Sequence, residues 1–128
     1  MEDAPAVEHL DERDRELLRD RRIAAYWPSE RLAIVEFRLT LYRRYGRHVE
    51  LTEALTIWED GAATDWRREK MRLDGQRQLE EIERHKYCLS QELGLDVGWE
   101  RAADDWIESH AAQWRAWWEL QPESRPGV

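Results

Sequence analysis

Cysteine occurs once in these 128 residues, at Cys88, which excludes an internal disulfide framework and fits a reducing compartment. No apolar run approaches the roughly 20 residues needed to span a bilayer. The acidic opening "MEDAPAVEHLDE" is unlike a secretory signal. A cytoplasmic, non-membrane protein is therefore expected. Catalytic signatures are equally scarce. There is no Gly-rich phosphate loop, no HExxH and no paired-cysteine spacing, and neither Ser90 nor Ser109 sits in a nucleophile elbow. Asp104-Asp105 and Glu80-Glu81 read as solvated helix faces. The chain reads as a non-enzyme, and no cofactor is expected.

Tryptophan, by contrast, occurs 8 times in a chain that is 38% charged, with a mean hydropathy of −0.90. Disordered chains are poor in aromatics, so a folded domain with a highly charged surface is expected. The length suits one domain, read here as 1–128 with flexible tails at 1–7 and 121–128. The net charge of −8 is uneven: residues 1–12 carry five acids and no base, 13–47 ten arginines against five acids, and 48–128 ten bases against eighteen acids. Overall acidity argues against direct nucleic-acid binding, which favours basic domains. The basic segment 13–47 either pairs with acids of the same chain, the reading favoured here, or meets an anionic partner.

The chain also repeats itself. At an offset of 48, residues 34–67 and 82–115 agree at nine of thirty-four positions: Ile34/Ile82, Leu41/Leu89, Gly46/Gly94, Val49/Val97, Ala54/Ala102, Trp58/Trp106, Ala63/Ala111, Trp66/Trp114 and Arg67/Arg115. Each copy reads as helix, glycine stop, short loop, helix. Ile82, His85, Leu89 and Leu93 recur at spacings of three and four. Gly94 follows as the residue that closes a helix in a left-handed conformation. The stretch "LAIVEFRLTLY" (32–42) alternates like a strand, but its match to the second copy assigns it to a helix. Pro28-Ser29 supplies a break and an N-cap before it, and "RLDGQ" (72–76) joins or kinks the two halves. The architecture expected is all-α: a duplicated αα-hairpin forming a four-helix core, with an N-terminal helix over 8–26.

Positions where the copies differ are informative. His85 stands against Phe37, Cys88 against Thr40 and His110 against Ala62. Imidazole and thiolate suit zinc or another transition metal, so His85, Cys88 and His110 are candidate ligands, with Glu81 or Asp105 assisting. Plain packing is the alternative. The segment "WRAWWELQP" crowds Trp114, Arg115, Trp117 and Trp118 into one helix end. Tryptophan and arginine are enriched at interface hot spots, so these four are candidate partner-binding residues.

The segment "RHKYCLSQELGLDVGWERAA" (84–103) resembles one found in uncharacterised bacterial helical domains, some attached to kinase-like folds, with Gln91 where glutamate is usual. The resemblance implies a bacterial helical module and no particular chemistry. Three functions fit these features. The first is a non-enzymatic accessory subunit or adaptor that docks another protein, within a larger complex, through the Trp-rich helix. The second is a metal- or cofactor-binding bundle. The third is an acidic, antitoxin-like inhibitor that masks a basic nucleic-acid-binding surface.

Overall fold

The structure, a computed structural model, describes residues 12–127. All its regular elements are helical among the described residues. Helix α1 (Glu12–Leu18) and a 3-10 turn (Ile23–Ala25) lead to α2 (Pro28–Tyr45). Helix α3 (Leu51–Ile57) continues through a π-helical turn (Trp58–Ala62) into α4 (Ala63–Leu93). Helices α5 (Trp99–Ser109) and α6 (Ala111–Trp118) and a 3-10 turn (Pro122–Ser124) follow. No helix among the described residues is long and apolar enough to cross a membrane.

The chain gathers into two compact units. The first is built from residues 12–70 and 119–127, the second from Met71–Trp118. In the first unit Ile23, Ile34, Val35, Leu51, Trp58 and Ala63 form a core, and Leu41, Val49 and Ala54 form a smaller one. Residues 32–42 are helical, with Ile34, Val35 and Leu41 turned inward. Pro28 opens α2, where its missing N–H costs nothing because the first helical donors have no partner within the helix. The N-cap is Trp27 rather than the expected Ser29. In the second unit Ile82, Ala102 and Trp106 are buried together, with Val97, Ala103, Ala111 and Trp114 packed against them.

Several features recur in the two units at the same offset. Gly46 (φ 72°) closes α2 and Gly94 (φ 71°) follows α4, both left-handed. Helices α3 and α5 start at Leu51 and Trp99, and both elements then lose regularity forty-eight residues apart. The first does so in the π turn ending at Ala62, the second in the break at His110. The tryptophan pairs match as well: Trp58 and Trp66 lie 5.9 Å apart at 61°, Trp106 and Trp114 6.2 Å apart at 62°.

Three expectations need correction. Helix α4 runs unbroken through Gly75, because a glycine inside a helix costs only about 1 kcal/mol and its neighbour Asp74 is held, buried, by the Trp118 indole. Within 8–26 only Glu12–Leu18 is α-helical, after which the chain turns through the 3-10 segment; residues 8–11 lie outside the described residues, as do 1–7. The segment 121–127 is no loose tail. Ser124 and Arg125 are buried, the Ser124 carbonyl accepts from Lys70, and Arg125 pairs with Glu36.

Candidate functional site

Packing of Ile82 against Ala102 and Trp106 holds the end of α4 on α5. This brings His85, one helical turn after Ile82, to Asp105, with Nε2 and Oδ2 2.6 Å apart. The break between α5 and α6 then adds His110. It leaves helical geometry (φ −132°, ψ −27°) while its N–H still donates to the Trp106 carbonyl at 2.8 Å. The imidazoles of His85 and His110 meet edge to face at 4.7 Å, and Trp106 packs against both, at 5.9 and 5.6 Å. One potential ligand atom from each of His85, Asp105 and His110 lies within 4.8 Å of the others. His85 and Asp105 are partly buried and His110 is exposed.

Two candidate ligands fall outside this cluster. Cys88 is exposed on α4 and its sulfur is not among the converging atoms, so the expected His85–Cys88–His110 grouping is replaced by His85–Asp105–His110. A step of three residues turns a helix about 60° short of a full circle, enough here to leave the thiol in solvent. Glu81 pairs with Arg84 instead. The Trp106 indole N–H is buried and finds no acceptor in the protein, whereas its counterpart Trp58 donates to Glu30 at 2.9 Å.

The four candidate docking residues separate. Trp118 is buried; its indole N–H donates to Asp74 at 2.8 Å and Arg77 lies over its ring at 5.2 Å. It serves the interior of the second unit rather than an exposed docking surface. Trp114 stacks on it at 5.7 Å and is half-buried. Arg115 is exposed and donates to Gln78 at 3.3 Å. Trp117 remains 52% exposed. With Trp106, His110, Gln113 and Trp114 it lines a shallow recess of about 280 Å³. In the first unit the matching pair Trp58 and Trp66 shares a recess with Arg125 and Pro126 of the last segment.

A buried polar network in the first unit had no clear mark in the sequence. Lys70 is fully buried and donates to Glu119 (2.5 Å) and to the Ser124 carbonyl (2.9 Å). Glu119 also accepts from the N–H and hydroxyl of Ser29, at 3.1 and 2.7 Å. The signal was the repeat itself: carried three residues past Arg67/Arg115, it places Lys70 opposite the core residue Trp118. Five of the ten arginines of the basic segment make hydrogen bonds or ion pairs within the unit. Arg19, Arg22 and Arg47 pair with Glu12, Asp20 and Glu53, and Arg31 and Arg38 donate to backbone carbonyls. Compared with known proteins, the chain matches no family model, no curated protein and no solved structure.

Proposed function

We propose that this protein is a non-enzymatic helical adaptor that binds another protein through the aromatic recess of its second unit. The partner is a segment with an apolar anchor flanked by basic side chains. The observation that carries this reading is Trp117, more than half exposed beside the Trp106–Trp114 pair. A large rigid side chain held at the rim of a recess is a common form of interface hot spot. Two features support the occupant. In the first unit the equivalent tryptophan pair lines a recess together with a chain segment, Arg125-Pro126, so such a pair occurs beside an irregular peptide stretch elsewhere in this chain. Helix α5, which carries Trp106, exposes Glu100, Asp104 and Glu108, charges that steer a basic partner. The acidic-inhibitor reading thus narrows to a statement about the partner's charge.

The test is cross-linking from a photoreactive residue at position 113, in the same recess as Trp117, in the host cell, followed by native mass spectrometry of the complex. A single partner cross-linked at 113, lost on Trp117→Ala, kept on Trp27→Ala and weakened by salt, supports the reading. Trp27 is a 41% exposed tryptophan of the first unit and serves as control. A complex that survives Trp117→Ala unchanged, or recovery of the bare chain alone, overturns it.

A further inference from the structure

We propose that the second unit holds one divalent transition-metal ion of the cobalt–nickel–copper–zinc group, with His85, Asp105 and His110 as its protein ligands. The argument begins with what the fold does not require. At the offset of 48, the first unit has Phe37, Ile57 and Ala62 at these three positions. All three are partly buried hydrophobics packed against its cores. At these three offset positions the first unit therefore uses apolar side chains only. The second unit has replaced all three by metal-ligating types, and those three side chains converge.

The chemistry of the set is selective. Two imidazoles and one carboxylate suit late first-row divalent ions, while calcium and magnesium prefer all-oxygen surroundings. With metal–ligand distances of about 2.0–2.2 Å, ligand atoms on a tetrahedral ion sit about 3.3 Å apart. The three atoms lie within 4.8 Å of one another, and Nε2 of His85 is 2.6 Å from Oδ2 of Asp105. Side-chain movements of about 1 Å or less in each direction would satisfy the ion. Three protein ligands leave a further position for water or an anion. The Trp106 ring packs against both imidazoles, and its N–H is buried without an acceptor in the protein, the kind of orphan donor that an added oxygen atom can satisfy. His110 sits at a helix break, so its backbone is not committed to helical geometry there and its ring can adjust. The ligands come from the end of α4, from α5 and from the break after it, so an ion would tie three consecutive parts of the unit together.

The experiment uses the full chain, stripped with chelator and titrated with cobalt(II) chloride by visible absorption, then with zinc chloride in competition. One cobalt per chain is expected, with d–d bands of a nitrogen- and oxygen-ligated ion and displacement by zinc. No sulfur-to-cobalt band is expected, and Cys88→Ser should titrate like the parent. His85→Phe, Asp105→Ile and His110→Ala install the residues the first unit uses, so each should keep its helical circular dichroism. Each should weaken cobalt binding by at least about tenfold, the scale seen when even supporting groups of a metal site are lost. His110→Ala alters an exposed residue, so it remains informative if the other two disturb folding. Absence of cobalt bands in the parent, or unchanged affinity in His110→Ala, overturns the proposal.

Discussion

Lys70 and Glu119, forty-nine residues apart in the chain, form an ion pair in the interior of the first unit, with the lysine wholly shielded from solvent. Taking an ammonium and a carboxylate out of water costs several kcal/mol each, recovered only when both are paired and otherwise hydrogen-bonded. Here both conditions hold, through Ser29 and the Ser124 carbonyl. Lys70→Met strands the carboxylate and should cost about 3–5 kcal/mol in urea unfolding. Lys70→Met combined with Glu119→Leu should recover much of that loss. A double variant as unstable as the single would refute the account.

Trp58 and Trp106 occupy matching positions with different hydrogen bonding. Trp58 donates to the buried carboxylate of Glu30, while the Trp106 N–H has no acceptor. Phenylalanine at 58 should therefore cost about 1–3 kcal/mol more than phenylalanine at 106, the penalty for under-satisfying a buried charged acceptor. Equal losses, measured by thermal unfolding of each variant, would show that the Glu30 bond carries no weight.

Trp118 and Trp117 are neighbours with opposite roles. Trp118→Ala opens the interior of the second unit and should cost about 3–5 kcal/mol. Trp117→Ala, at an exposed site, should stay within about 0.5 kcal/mol. Denaturant midpoints of the two variants check the assignment of one to packing and the other to docking.

Gly46 and Gly75 should respond to alanine in opposite directions. Gly46 holds a left-handed backbone at φ 72°, where a Cβ costs roughly 1–2 kcal/mol. Gly75 lies inside α4, and a Cβ there meets nothing within 4 Å, so alanine should stabilise by about 0.4–1 kcal/mol. A stabilising Gly46→Ala would contradict the left-handed cap.

Asp20 is hydrogen-bonded by the Arg22 side chain and backbone N–H, and these bonds hold its carboxyl down at about 2. A depressed acid stabilises the fold at pH values above its unfolded pKa and loses that contribution as pH falls through the folded value. The loss should therefore fall between about pH 4 and pH 2. Carbon-detected NMR titration of the Asp20 carboxyl, with its midpoint shifted upward in Arg22→Ala, checks this. An unshifted midpoint would remove the role given to Arg22.

The parts of this fold that were legible in the sequence are those with a local or repeated signal. The match between copies resolved 32–42 as helix, because the hydrophobic beat of the second copy is helical where that of the first is ambiguous. Gly46 and Gly94 ended their helices where a glycine follows an apolar stripe. Gly75 misled because nothing in its immediate neighbours shows that Asp74 is fastened by Trp118. The order of 119–125 was invisible for a similar reason: the partners of these residues, Ser29, Glu36 and Lys70, are 49 to 90 positions away. Within the candidate site, His85 and His110 stood out as departures from the repeat. Asp105 was named only as an assistant, since acidic residues on helices are usually solvated. Its position opposite the apolar Ile57 is the one mark in the sequence that sets it apart from the solvated acids.

The first unit is interrupted at Lys70 and resumes at Glu119. On the ribosome, residues 12–70 therefore emerge before Glu119, the carboxylate that accepts from Lys70 and from Ser29 at the start of α2, has been made. Met71–Trp118 is synthesised before those bonds can form, so the later-encoded unit has all its parts before the earlier one. The order of completion runs against the order of translation. A released chain truncated after residue 118 should display a protease-resistant second unit attached to a first unit that is still readily cleaved.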